Sequence, residues 1–108
     1  MAPQTFLANA LAPSMIADPT ALLDFAEITL ETARALAADA VSHVGHEDTA
    51  ACFADALRRP VEQSRASLTL SVGDILLIGQ IVAGRLPEGA TTLPENVRFR
   101  WLRITRIA

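Results

Sequence analysis

The eight residues Ile75-Leu76-Leu77-Ile78-Gly79-Gln80-Ile81-Val82 constrain the fold more than any other segment. A run this apolar and branched has no polar face, so as a strand it must be covered on both sides. It falls well short of the roughly 20 apolar residues that a membrane-spanning helix needs, and Gly79 and Gln80 interrupt it. The run therefore predicts a central strand in a layered domain, with Gln80 an unusual residue for such a place.

The material available to cover that strand is limited. The chain has 108 residues, enough for one domain over 1–108, and 51% of them are hydrophobic against 19% charged, which excludes a disordered chain. Twenty residues are Ala, so many buried positions are small and the buried apolar area is modest. An oligomer that buries more is the expectation.

The remaining elements follow from period and punctuation. Thr5-Phe6-Leu7-Ala8-Asn9-Ala10 reads as a short buried strand running into a polar turn, and Ser14-Met15-Ile16 as a single helical turn between Pro13 and Pro19. Residues 20–40 support two readings. Asp18-Pro19 and the following Ala-rich run suit one long helix, whereas Glu27-Ile28-Thr29-Leu30-Glu31-Thr32 alternates like a strand. Glu47 to Leu57 is a clear helix: Ala50, Phe53, Ala54 and Leu57 share a face, acids open it and Pro60 ends it. Ser67 to Val72 alternates strictly and predicts a half-buried strand, turned at Gly73-Asp74 into the central one. Val97 to Ile107 predicts the last strand, with a bulge where the alternation slips after Trp101. Strands with at least one firm helix make an α/β or α+β domain.

Charge is distributed unevenly. Every basic residue is Arg; residues 1–57 hold one Arg and eight acids, residues 58–108 eight Arg and four acids. The second half thus suits an anion, while the overall charge of −3 makes a long nucleic-acid duplex an unlikely partner. Cys52 is the only cysteine, which excludes an intrachain disulfide and suits a reducing cytoplasm. The opening residues lack the charged region of a signal peptide. Cytoplasmic location without membrane contact is expected.

Three constellations offer chemistry. Ser42-His43-Val44-Gly45-His46-Glu47-Asp48 opens the clear helix, where backbone N–H groups attract phosphate and a His can move a proton; the plainer reading makes His46 and Asp48 helix-start residues. His43, His46 and a carboxylate are a second possibility as metal ligands, but the spacing crosses Gly45 outside the helix, and no metal or other cofactor is expected. Arg85-Leu86-Pro87-Glu88-Gly89 offers a guanidinium fork and a carboxylate, or only a surface ion pair. Arg98, Arg100, Arg103 and Arg106 read as the charged guard of an edge strand, or with Phe99 and Trp101 as a nucleic-acid groove.

Taken in order, Phe6 to Leu11, Ser14-Met15, Val44 to Ala50, Arg65 before an alternating stretch, Gln80 and Arg85 to Gly89 form a pattern over residues 5 to about 102. This pattern resembles the viral anti-CRISPR ring nucleases, a small α/β family first known from archaeal viruses. The resemblance implies one mixed β-sheet flanked by helices, a homodimer, and a strand at Glu27–Thr32. It implies metal-independent degradation of cyclic tetra-adenylate, the messenger of type III CRISPR defence. It assigns His46 as general acid, with Glu88 and Arg85 at the reacting phosphate and Asn9, Arg65 and Gln80 around the ring. Ser14, Gly45 and Gly89 are the further ligand-binding positions. Leu11-Ala12 stands where the family often has Phe-Ser, Ser14 where it often has Asn, and Gly84 is one residue extra before Arg85. The competing functions are a sponge that binds a cyclic nucleotide without cutting it, and a nucleic-acid-binding protein using the last strand. Presence of both His46 and Glu88 favours cleavage.

Overall fold

The computed structural model describes residues 2–108 and contains one five-stranded mixed sheet. The strands are β1 (Thr5–Ala8), β2 (Leu23–Ile28), β3 (Ala40–Ser42), β4 (Ile75–Val82) and β5 (Arg98–Arg106), in the spatial order β2-β5-β4-β1-β3. Helix α1 spans Leu30–Ala37 and α2 spans Glu47–Leu57, with a 3₁₀ turn at Pro13–Met15. The apolar run is the central strand: β4 pairs in parallel with β1 and antiparallel with β5. Strand β3 is parallel to β1, and β2 antiparallel to β5. Strands β1 to β4 therefore all point one way, and the chain leaves each of them at the same edge of the sheet.

Both helices lie on one face. Ala33 and Ala37 of α1 and Ala50, Phe53 and Leu57 of α2 pack with Leu7, Leu77 and Trp101. Small residues on both helices bring them close to the sheet. At the crossing, Gly79 has no room for a side chain, because a Cβ would lie 2.7 Å from Phe53 Cζ and 2.8 Å from Trp101 Cζ3. The opposite face is covered only in part. Phe6, Ala8, Leu76, Ile78, Leu102 and Ile104 receive Leu68, Leu70 and the side chains of Met15 and Ile16, and no α-helix. The implied flanking by helices is thus one-sided.

Several expectations change. Residues 20–40 contain both candidate elements in sequence, a strand and then a helix, rather than one long helix. The strand ends at Ile28, earlier than the implied Glu27–Thr32, because Thr29 accepts the Thr32 N–H at 3.1 Å and starts α1. Ser67 to Val72 keeps its alternation, with Leu68 and Leu70 buried, yet it joins no ladder. It lies against the open face of the sheet, tied to the 3₁₀ turn by Leu70 N donating to Met15 O at 2.7 Å. Strand β5 has no bulge: its register to β4 is unbroken from Arg98↔Val82 to Thr105↔Ile75. The slip in its pattern arises because the buried face changes at Trp101-Leu102. Trp101 is buried under the helices, whereas beyond it Leu102, Ile104 and Arg106 are buried on the opposite face and Arg103 and Thr105 stay half-buried.

Nor is β5 an edge strand, since it lies between β2 and β4. Its arginines have separate uses. Arg106 is 6% exposed and donates to Leu70 O at 2.7 Å and to Asp18 Oδ2 at 2.6 Å, clamping the covering segment to the sheet. Arg100 pairs with Glu27 on β2 and lies over the Phe25 ring at 5.6 Å. Gln80 is exposed rather than buried, at the end of β4 that the covering segment does not reach. No helix among the described residues is long and apolar enough to cross a membrane.

Candidate functional site

The common exit edge of β1 to β4 gathers most of the residues singled out above. After β3 the chain passes through Val44 and Gly45 to His46, the N-cap of α2. His46 Nδ1 accepts the Asp48 N–H at 3.2 Å. A nitrogen that accepts carries no proton, so in the neutral ring the proton sits on Nε2. The rest of the first turn of α2 has no intrahelical acceptor for its N–H groups and carries the positive end of the helix dipole.

The turn before the cap is held by residues 62–66. Ser64 N donates to Val44 O at 2.9 Å, and Ser42 Oγ donates to Glu62 O at 2.6 Å. The Gly45 carbonyl accepts twice, from Arg65 Nε at 3.0 Å and Gln63 Nε2 at 3.1 Å. Arg65 thereby acquires a fixed stem beside α2. Gly45 itself has no positive φ, and a Cβ there would meet Arg65 Cγ at an ordinary 3.6 Å.

The opposite wall is the loop between β4 and β5. It brings Leu86, Pro87 and Glu88 against His46, Asp48 and Thr49 around a cavity of about 380 Å³. An adjoining cavity of about 390 Å³ is lined by His46, Glu47, Asp48, Gln63, Arg65, Glu88 and Gly89. The structure thus brings together His46, Arg65, Glu88 and Gly89, with Gly45 behind them. Asn9 and Gln80 meet each other elsewhere, in a largely apolar cavity of about 230 Å³ with Leu11, Phe25, Ile78 and Leu102 on the open face. Ser14, on the 3₁₀ turn, and Arg85 are exposed and line neither place. Gln63 belongs to the site without having drawn notice, and Thr49, inside the Val44–Ala50 motif, joins it without having been assigned a role. Gln63 stands in a loop with no motif, and only its bond to Gly45 marks it.

His43 is engaged apart from this site. Its Nδ1 lies 2.8 Å from Ala66 O, and its ring meets Phe6 edge-on at 5.4 Å. Among the described residues no three of His, Cys, Asp and Glu converge as metal ligands. Cys52 is buried in α2, and its Sγ lies 3.8 Å from Ala90 O of the β4–β5 loop. Burial, then the charges of Asp48 and Asp55, push its thiol above the ordinary range. The native protein should therefore be alkylated by iodoacetamide far more slowly at pH 7–8 than the same chain in urea. Because the folded thiol holds its proton more tightly, its contribution to stability is present below the ordinary pKa of 9.0 and is lost as pH rises past it. Equal alkylation rates in the two states would overturn this.

Comparison with known proteins agrees with the fold and places the chain. A small α/β domain with a mixed five-stranded sheet and a polar site at its exit edge is the class defined so far. Residues 5–99 match the model of the STIV B116-like family, and the chain belongs to that family. Among solved structures it is similar to B116 of Sulfolobus turreted icosahedral virus, with a TM-score of 0.76 and 17% identity. That match covers 94% of this chain and 98% of the viral one, so the two share the whole fold. No curated protein matches.

Proposed function

We propose that the chain is a metal-independent ring nuclease that opens cyclic oligoadenylate, cyclic tetra-adenylate foremost, and so antagonises type III CRISPR signalling. The observation that carries this reading is the meeting of His46, Arg65 and Glu88 around one cavity at the start of α2. RNA supplies its own nucleophile, so the protein needs to align, neutralise and move protons. The 2′-oxygen bonds to the neighbouring phosphorus as the bond from phosphorus to the 5′-oxygen breaks. Glu88 takes the 2′-hydroxyl proton, and His46 gives a proton to the departing 5′-oxygen. Arg65 and the α2 amides face the phosphoryl oxygens, while Arg85 lies outside the cavity. The products are linear adenylates ending in a 2′,3′-cyclic phosphate.

The cap geometry adds a condition. An imidazolium carries protons on both nitrogens and cannot accept the Asp48 N–H. Capping and acid catalysis are alternative states of the one ring, and a phosphate that takes over the Asp48 amide frees His46 for the second. The same geometry favours the binding-only alternative, in which the ring stays a cap. A homodimer is part of the proposal: a ring with two-fold symmetry is met by two copies of one site, and the open sheet face leaves Leu11 and Phe25 exposed.

Incubation with cyclic tri-, tetra- and hexa-adenylate, with and without EDTA and read by mass spectrometry, tests this. Linear products ending in cyclic phosphate, formed at the same rate in EDTA, are expected. An intact ring that co-elutes with the protein would establish the sponge instead. Loss of cutting in EDTA and its return with Mn²⁺ or Zn²⁺ would establish a metal enzyme.

A further inference from the structure

The loop between β4 and β5, residues 83–97, carries Glu88 but is hydrogen-bonded to the body of the protein at very few points. Its two necks adopt left-handed backbone at Ala83 (φ 68°) and Asn96 (φ 71°), and its middle does so at Gly89 (φ 80°). At the necks Gly84 packs so closely on Val97 that a Cβ would lie 2.6 Å from Val97 Cγ2, which closes the base of the loop. Between the necks, two turn bonds are internal to the loop: Ala90 N donates to Pro87 O and Val97 N to Pro94 O. Among the described residues only two hydrogen bonds join residues 85–95 to anything else. One is the weak contact of the Cys52 thiol with Ala90 O at 3.8 Å; the other is Gly89 N donating to Asp48 Oδ2 at 2.7 Å. Nothing lies within 4 Å of a Cβ built on Gly89, so its place is set by backbone conformation and this bond, not by packing.

From this arrangement we infer that Asp48 is a positioning residue, the latch that holds the β4–β5 loop against the start of α2 and keeps Glu88 beside His46. The chain rigidly presents the acceptor, since Asp48 is the second residue of α2 and its own amide is fixed by the His46 cap. A carboxylate accepting a backbone N–H is among the stronger hydrogen bonds available to an exposed loop. It is also the one attachment of the loop adjacent to Glu88. Its effect on turnover rests on the ring-nuclease reading, whereas its effect on the loop does not.

The two are separated by measuring both in Asp48→Ala and Asp48→Asn. Amide exchange at Gly89 and trypsin cleavage at Arg85–Leu86 should both accelerate about tenfold in Asp48→Ala, as expected for the loss of one hydrogen bond to a charged group. Exchange within α2 should stay unchanged, and Asp48→Asn, which keeps an oxygen acceptor, should restore most of the protection. Turnover of cyclic tetra-adenylate should then fall about tenfold in kcat with KM little altered. Unchanged Gly89 exchange in Asp48→Ala would overturn the latch, as would acceleration spread through α2, which would mark Asp48 as a helix-start residue only. If the loop loosens as expected but the unmodified protein cuts no ring, the latch stands and the ring-nuclease reading falls.

Discussion

His46→Ala is expected to lower ring cleavage by about 10²–10⁴-fold, the usual contribution of a positioned general acid, while ring binding persists. Binding should persist because Arg65 is anchored independently, by its bond to the Gly45 carbonyl, and the α2 amides remain. The fold should persist as well, since the substitution removes one N-cap, worth about 0.5–2 kcal/mol. The comparison is with His43→Ala, three residues earlier. The His43 ring is spent on Ala66 O and Phe6, so its removal should cost some stability and leave turnover near that of the unmodified protein. Single-turnover cleavage and equilibrium binding of cyclic tetra-adenylate, measured for both variants, provide the check. Equal damage from the two would mean that the site has been placed on the wrong histidine. Loss of binding and folding together in His46→Ala would mean that the residue is a helix cap and nothing more.

Phe53→Ala should be the most destabilising single truncation in the core. Phe53 is fully buried, meets Phe99 at 4.9 Å and Trp101 at 5.6 Å, and fills the space above Gly79. Loss of a buried Phe costs about 3–5 kcal/mol, a large share of the roughly 5–15 kcal/mol that holds a domain together. The melting temperature should fall by about 15 °C or more. The surrounding small residues, Ala33, Ala37 and Ala50, have little side chain with which to fill the gap. Val41→Ala, at a half-exposed position on β3, should shift it little. Thermal melts followed by circular dichroism distinguish the two, and comparable shifts would refute the assignment of Phe53 to the centre of the core.

The elements most legible in the sequence are those whose pattern is set by the chain's own periodicity. The helix at Glu47–Leu57 and the strand at Ile75–Val82 carry their boundaries in local residues: acids at the helix start, Pro60 beyond its end, and the turn at Gly73-Asp74. The motif at Val44–Ala50 was readable for the same reason, since a cap and a first turn are local structure. Segments whose fate depends on what covers them were less legible. Ser67–Val72 alternates like a strand because Leu68 and Leu70 must be buried, but alternation says which residues go inward, not whether the backbone finds a ladder. Residues 98–106 shift their alternation because the more deeply buried face of β5 changes sides at Trp101-Leu102, and a change in cover looks, in one dimension, like a bulge. The tie at residues 20–40 dissolved because a cap at Thr29 lets strand and helix follow each other directly.

By itself, then, the sequence determined that a two-sided central strand, a short capped helix and an arginine-rich second half would be present, and that His46 would stand at a helix start. Tertiary structure alone decided which of these meet. A backbone bond that any residue could make, Ser64 N to Val44 O, brings the 62–66 segment alongside, and the Gln63 and Arg65 side chains then donate to the Gly45 carbonyl, so no local pattern announces them. Glu88 reaches His46 through the Gly89–Asp48 bond, across 41 residues of chain. Asn9 and Gln80 are carried together on the other face of the sheet by strand direction and register, because β1 and β4 are parallel and both residues lie just beyond the Ala8–Ile78 pair. Local sequence sets local conformation through sterics and capping, whereas the encounter of distant side chains depends on how the layers stack and in which direction each strand runs.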